Sequence, residues 1–219
     1  LTSIINYVDL LEKEELSNET AEGYLEVLER QSNRLKKLIE DLIEASKAST
    51  GNLAVHLEKL EAGVSVVQIV GEFEDKLNAA DLTLLIQKPE TPVYVMADGR
   101  HFWRVIDNLM NNICKYAQPG TRVYVDLREN GGQVELIFRN TSRYPLNISS
   151  EELMERFVRG DESRNTEGSG LGISIAKSLM ELMGGSFMLY VDGDLFKVVL
   201  GFAQMEEEKE PLDEDKSGK

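Results

Sequence analysis

Within residues 20–49 the apolar side chains fall into two overlapping seven-residue stripes. One runs through Leu28, Leu35 and Leu42 with Tyr24 and Leu38 beside it, the other through Leu25, Ile39 and again Leu28 and Leu42. One such stripe would suit a single coiled-coil seam, whereas two adjacent ones bury a helix against partners on two sides. The pattern therefore predicts a multi-helix bundle. Leu1, Ile4, Ile5, Val8 and Leu11 also keep helical spacing, and a polar connection over residues 15–20 separates the two segments. Residues 1–50 are thus expected to form an antiparallel helical hairpin that a second copy completes into a dimeric four-helix bundle. At 1.5 Å per residue the second helix spans about 45 Å and the first only about 23 Å. This mismatch, with Leu1 in place of an initiator Met, leads to the expectation that part of the first helix lies upstream of Leu1.

Thr50-Gly51-Asn52 breaks the second helix, and the domain boundary is placed there: residues 51–204 form a second domain and residues 205–219 an acidic tail expected to be disordered. Leu53, Val55 and Leu57 alternate like a strand, with His56 on its other side. Val66, Ile69, Val70, Phe73 and Leu77 predict one amphipathic helix, and short strands follow at residues 83–87 and 93–97. Asp98 starts a helix that ends near Ala117, before Pro119-Gly120. A hairpin of residues 122–128 and 133–139 turns at Asn130-Gly131-Gly132. Ser149 and Glu152 have the spacing of a capping box for a short helix ending near Phe157. A helix over residues 173–183 stops at Gly184-Gly185, and a last hairpin pairs residues 187–191 with 196–202. Helices and mostly antiparallel strands in blocks imply an α+β two-layer sandwich, with helices over one face of the sheet.

Charge narrows the partners. Of a formal net charge of −15, the last fourteen residues carry only −4. An acidic excess on this scale argues against non-specific nucleic-acid or anionic-membrane binding, which needs a basic face. The single cysteine, Cys114, excludes an internal disulfide and suits a reducing compartment, and no apolar run approaches the ~20 residues of a membrane span.

Two polar constellations carry chemistry. Gly168-Ser169-Gly170-Leu171-Gly172 opens into the helix at Ile173: side chains are removed where the backbone must approach a ligand closely, and unpaired N–H groups at a helix start suit an anion. The segment is neither a Rossmann fingerprint, since no strand precedes it, nor a P-loop, since it lacks Gly-Lys-Ser/Thr. On the Asp98 helix, Phe102, Val105, Leu109, Ile113 and Tyr116 form the buried face, while Asn108, Asn112 and Lys115 line one flank, extended by His101 and Arg104. Amide oxygens for a hard cation and an ammonium for phosphate fit a metal–phosphate group.

The residues also resemble a known family. Asn108-Leu-Met-Asn-Asn112-Ile-Cys-Lys115-Tyr116 resembles the asparagine box of sensor histidine kinases, Glu155-Arg-Phe157-Val-Arg159-Gly-Asp161 their phenylalanine box, and Gly168-Ser-Gly170-Leu-Gly172 their second glycine box, in the same order and spacing. The resemblance implies a Bergerat-type ATP-binding fold behind a dimerisation and phosphotransfer hairpin. It implies ATP and Mg²⁺ as cofactors, with Asn112 ligating the metal, Asn108 assisting, Lys115 on phosphate and Tyr116 flanking the nucleotide. Arg159 and Arg164, in the expected lid, would steady the phosphates, with Gly168, Ser169, Gly170, Leu171 and Gly172 lending backbone. It implies a homodimer passing phosphate to a histidine and on to an aspartate of a response-regulator receiver domain. The setting would be cytoplasmic, with membrane attachment only through an upstream sensor.

Two departures from the family pattern stand out. The His-Glu-x-x-Thr-Pro box of the phosphoacceptor would fall just upstream of Leu1, and neither His56 nor His101 is expected to replace it. The first glycine box, Asp-x-Gly-x-Gly in the family, reads Asn140-Thr-Ser142-Arg-Tyr144: Asn140 keeps an acceptor oxygen for adenine without the charge. A degenerate, non-catalytic dimerising module of the same fold is the alternative that this second departure leaves open.

Overall fold

The computed structural model describes residues 2–13, 17–146, 149–154 and 170–205. The first two helices, α1 (Thr2–Lys13) and α2 (Asn18–Ser49), pack on each other, with the Tyr7 and Tyr24 rings 5.3 Å apart between centroids. Ser17 caps α2 by accepting from the Thr20 N–H, and the Thr50 hydroxyl donates back to the Ser46 carbonyl at 2.9 Å to close its last turn. Near its C-terminus α2 changes character. Asp41, Ala45 and Ala48 are buried there, and Ala45 joins the main core.

The remaining elements are β1 (Glu58–Glu61), α3 (Ala62–Gly71), α4 (Glu74–Ala79), β2 (Leu82–Gln87), β3 (Tyr94–Ala97), α5 (Gly99–Tyr116), β4 (Thr121–Asn130), β5 (Gln133–Thr141), α6 (Ser150–Met154), α7 (Gly172–Leu182), β6 (Ser186–Asp192) and β7 (Leu195–Met205). The strands form one sheet in the order β1-β3-β7-β5-β4-β2, with β6 also paired to β7. Every pairing is antiparallel except β2 with β4. Val123, Val125 and Leu127 of β4, Val134, Leu136 and Phe138 of β5, and Val198, Leu200 and Phe202 of β7 fill one sheet face. Against them lie Phe102, Val105, Leu109 and Ile113 of α5, and Ile175 and Leu179 of α7, all at most 1% exposed. Each such side chain contributes about 1.5–3 kcal/mol by leaving water. The two-layer architecture with helices over one face is therefore present, and it sets α5 and α7 side by side.

Two expectations fail. Residues 53–57 form no strand: the His56 N–H donates to Asp98 Oδ2 at 2.8 Å and the Ala54 carbonyl lies 3.0 Å from His101 Nε2, so side chains take the backbone groups a ladder would use. The helix drawn through Val66 and Leu77 is two, α3 and α4. At Glu72 and Phe73 the backbone tightens to bonds from three residues back, on Ile69 and Val70, which turns the chain and sends Phe73 into the core at 3% exposure.

Candidate nucleotide site

The site starts from how α5 is anchored. Asp98 is its N-cap, accepting from the N–H groups of Arg100 at 3.0 Å and His101 at 3.2 Å as well as from His56. Burial acts to raise the Asp98 pKa, but those backbone donors, His56 foremost, and the nearby His101 ring together hold it below the ordinary carboxylate value. His101 and Arg104 are thereby taken out of the polar flank: the first is tied to Ala54, and the second reaches Asp41, Glu44 and Asp107. What remains of that flank is Asn108, Asn112 and Lys115, all half-buried beside the apolar face; Tyr116, expected on the buried face, is half-buried as well, because it closes the last turn of α5.

The glycine segment comes to Asn108. A Cβ on Gly172 would stand 3.5 Å from Asn108 Oδ1, so helix α7 begins against the asparagine flank of α5. Gly170 has φ +71°, a left-handed conformation that favours glycine, and Leu171 behind it is 1% exposed and pins the turn to the core. Leu171 occupies the N-cap of α7 and offers no side-chain acceptor to the first-turn N–H groups. Asn108 Nδ2 is buried without a hydrogen-bond partner among the described residues. A helix start with no side-chain cap among the described residues, beside an orphaned amide donor, is a fit for phosphate oxygens. About two turns on along α5, the Lys115 ammonium sits 4.7 Å from the centroid of the Tyr116 ring.

At the far end of α5 the chain after β5 folds back. The Arg143 N–H donates to the Tyr116 carbonyl at 2.8 Å, the Gln118 N–H to the Thr141 carbonyl at 2.9 Å, and the Ser142 N–H to the Asp194 carbonyl at 2.7 Å. Asn140, on the helix-facing side of β5, is 5% exposed. Its Nδ2 donates to the Thr141 carbonyl at 3.2 Å, and its Oδ1 is buried with no partner among the described residues. An acceptor stranded in this way costs about 1–3 kcal/mol unless something donates to it. Ser142 is 8% exposed and its hydroxyl accepts from the Tyr144 backbone N–H at 3.3 Å, which holds the Ser142 side chain in this corner, while Tyr144 is half-buried.

Of the twelve residues expected to form the site, Asn108, Asn112, Lys115, Tyr116, Asn140, Gly170, Leu171 and Gly172 lie on α5, on the end of β5 and at the start of α7. Arg159, Arg164, Gly168 and Ser169 lie outside the described residues. Sequence reading missed the Thr141 carbonyl, which fixes the Asn140 amide, and Ser174, whose hydroxyl donates to the Leu171 carbonyl at 2.9 Å and tightens the glycine turn. A backbone carbonyl leaves no residue-type signal, and a serine in the first turn of a helix is too common to single out.

The family described as histidine kinase-, DNA gyrase B- and HSP90-like ATPase matches residues 97–210, and the His kinase A (phospho-acceptor) domain matches residues 1–51. Sensor protein kinase WalK of Staphylococcus aureus is 26% identical over 191 residues, covering 84% of this chain and 45% of that protein. The chain spans between 24% and 45% of the length of the curated relatives it matches. The full-length ShkA structure in complex with AMPPNP superposes with a TM-score of 0.73 at 18% identity, over 94% of this chain and 43% of that one. Histidine kinase ThkA in complex with response regulator protein TrrA gives 0.69 at 15%, over 95% and 58%. The site that α5, β5 and α7 assemble thus sits on a histidine-kinase fold, and the chain belongs to the histidine kinase-, DNA gyrase B- and HSP90-like ATPases, in the arrangement of a two-component sensor histidine kinase.

Proposed function

We propose that this chain is the catalytic core of a sensor histidine kinase, with residues 1–50 as the dimerising hairpin, 51–204 as the Mg-ATP-binding domain and 205–219 as an acidic tail. The observation that carries this reading is the pair of buried, orphaned amide atoms: donor Asn108 Nδ2 beside the α7 start, and acceptor Asn140 Oδ1 near the end of α5. A phosphate at one and the 6-amino group of adenine at the other would satisfy both. Asn112 would hold Mg²⁺ with help from Asn108, and Lys115 would neutralise phosphate charge. Tyr116 would flank the base. Gly168, Ser169, Gly170, Leu171 and Gly172 would contribute backbone, with Arg159 and Arg164 closing over the phosphates. Bound Mg-ATP supplies the γ-phosphoryl group; the chain's own residues contribute positioning and charge neutralisation, the main terms for this transfer.

The acceptor would be a histidine other than His56 and His101, since His56 lies on the irregular stretch before β1 and not on the helical hairpin, and the His101 ring is held at Ala54. A second copy supports dimerisation by covering Leu25, Ile39 and Leu42, which are 55%, 49% and 48% exposed on α2. Onward transfer would go to a receiver-domain aspartate of a response regulator, in the cytoplasm, below an upstream membrane sensor. Among the described residues no helix is long and apolar enough to cross a membrane. A non-catalytic module is the second reading, favoured by Ser142 and Tyr144 standing where the family has glycines.

The test is incubation with labelled ATP of a protein carrying a His-Glu-x-x-Thr-Pro helix ahead of Leu1. Acid-labile, base-stable phosphate that disappears in Asn112→Ala supports the kinase; no phosphate in any form supports the module.

A further inference from the structure

The base end of the site departs from the family in a way that its own hydrogen bonds explain. Given a nucleotide site, on which the inference rests, we infer that this chain is built to read the purine 6-position with a neutral amide locked as an acceptor. Restoring the family's aspartate at position 140 therefore weakens nucleotide binding.

The lock is the Thr141 carbonyl. It accepts the Gln118 N–H at 2.9 Å and Asn140 Nδ2 at 3.2 Å, so both of its lone pairs are engaged. It has little freedom to turn away. Thr141 is paired with Leu195 of β7, and the next residue, Ser142, bridges to Ala117 at the end of α5. Rotating the Asn140 amide by a half-turn would set Oδ1 against this carbonyl oxygen. That exchanges a hydrogen bond for two acceptors about 3 Å apart at a residue 5% exposed. One orientation therefore dominates, and it leaves Oδ1 buried without a partner among the described residues.

An acceptor fixed in this way suits a 6-amino purine. A 6-oxo purine brings a second acceptor, and the amide cannot turn to answer it with Nδ2. A carboxylate fares no better, because its second oxygen takes the place of Nδ2 and meets the Thr141 carbonyl with no proton between them. Burial denies it the water that would soften that contact. The chain has thus exchanged charge for a hydrogen bond to its own backbone.

Calorimetric titration of the full chain tests this, using non-hydrolysable ATP and GTP analogues with Mg²⁺ on the natural protein, Asn140→Asp and Asn140→Ala, with folding followed by circular dichroism. The expected result is at least about tenfold preference of the natural chain for the ATP analogue, and at least about fivefold weaker binding of it by Asn140→Asp. Equal or tighter binding by folded Asn140→Asp overturns the inference and leaves the nucleotide site standing. Equal affinity of the natural chain for the two analogues overturns it as well, and this arm decides if Asn140→Asp does not fold. Failure of the natural chain to bind either analogue overturns the proposed kinase function, and the inference with it.

Discussion

Arg104 on α5 places Nη2 2.7 Å from Asp41 Oδ1 on α2, and the same guanidinium reaches Glu44 at 2.9 Å and Asp107 at 3.2 Å. Asp41 is only 6% exposed, so the helical hairpin and the sheet domain meet at a partly desolvated charge cluster. Burial acts to lower the Arg104 pKa, but Glu44, Asp41 and Asp107 together lift it above its usual value, and the group stays charged at any working pH. Arg104→Ala would leave three carboxylates facing one another, Asp41 without water. The expected loss is about 1–3 kcal/mol, below the figure for a fully buried pair because Arg104 keeps some solvent contact. Arg104→Lys should recover only part of it, since an ammonium lacks the planar fork that spans two acids. Chemical denaturation of the three proteins measures this, and equal midpoints would remove the cluster as a tie between the helices.

Asp98 provides a pH signature. Its folded pKa lies below the ordinary carboxylate value, so the stability it contributes is present above the unfolded pKa, about 3.9, and is lost as pH falls through the folded value. Asp98→Ala removes the α5 cap and the tie to His56 and should cost about 1–2 kcal/mol near neutrality. The gap between the two proteins should then narrow below about pH 4. Unfolding curves at pH 7 and pH 3 check both statements, and a gap unchanged between them would contradict the assignment.

Two glycines at opposite ends of α7 should respond differently to alanine. A Cβ at Gly185 would come within 2.7 Å of the Gly201 carbonyl oxygen and of Met180 Cε, whereas one at Gly172 would meet Asn108 Oδ1 at an ordinary 3.5 Å. Gly185→Ala should lower stability by about 1–3 kcal/mol through overpacking, and Gly172→Ala should leave the fold near its natural stability. Thermal melting of the pair measures the contrast; a larger loss for Gly172→Ala would contradict the packing described.

The exposed stripe of α2 leads to a prediction about assembly. Leu25→Glu with Ile39→Glu places charges on side chains 55% and 49% exposed in the single chain, so the monomer fold should survive while a dimer across that face should not. Sedimentation at several concentrations decides this. A natural chain that stays monomeric throughout would remove the bundle from the account.

Legibility in the sequence followed the range of the interactions. The apolar period of α5 marked the buried face that the structure shows at Phe102, Val105, Leu109 and Ile113. The capping box at Ser149 and Glu152 appears as reciprocal bonds of 2.9 Å and 3.1 Å. Asn130-Gly131-Gly132 turned the chain between β4 and β5 as expected. All three are local. Residues 53–57 looked like a strand because alternation is a local signal too, but their backbone partners, Asp98 and His101, lie more than forty residues away. The same limit hid the Arg104 cluster and the parallel pairing of β2 with β4. Within the site, the identity of Asn140 flagged a departure from the family. Only the geometry of Thr141 shows which way the amide faces.

In the proposed kinase, orphaned Asn108 Nδ2 and Asn140 Oδ1 would mark the two ends of a Mg-ATP site. The direct measurement is calorimetric titration of a non-hydrolysable ATP analogue into the chain with and without Mg²⁺, beside Asn112→Ala. Binding that strengthens with Mg²⁺ in the natural chain, and loses that dependence in Asn112→Ala, is the predicted result. No binding, or binding indifferent to both the metal and Asn112, would contradict it.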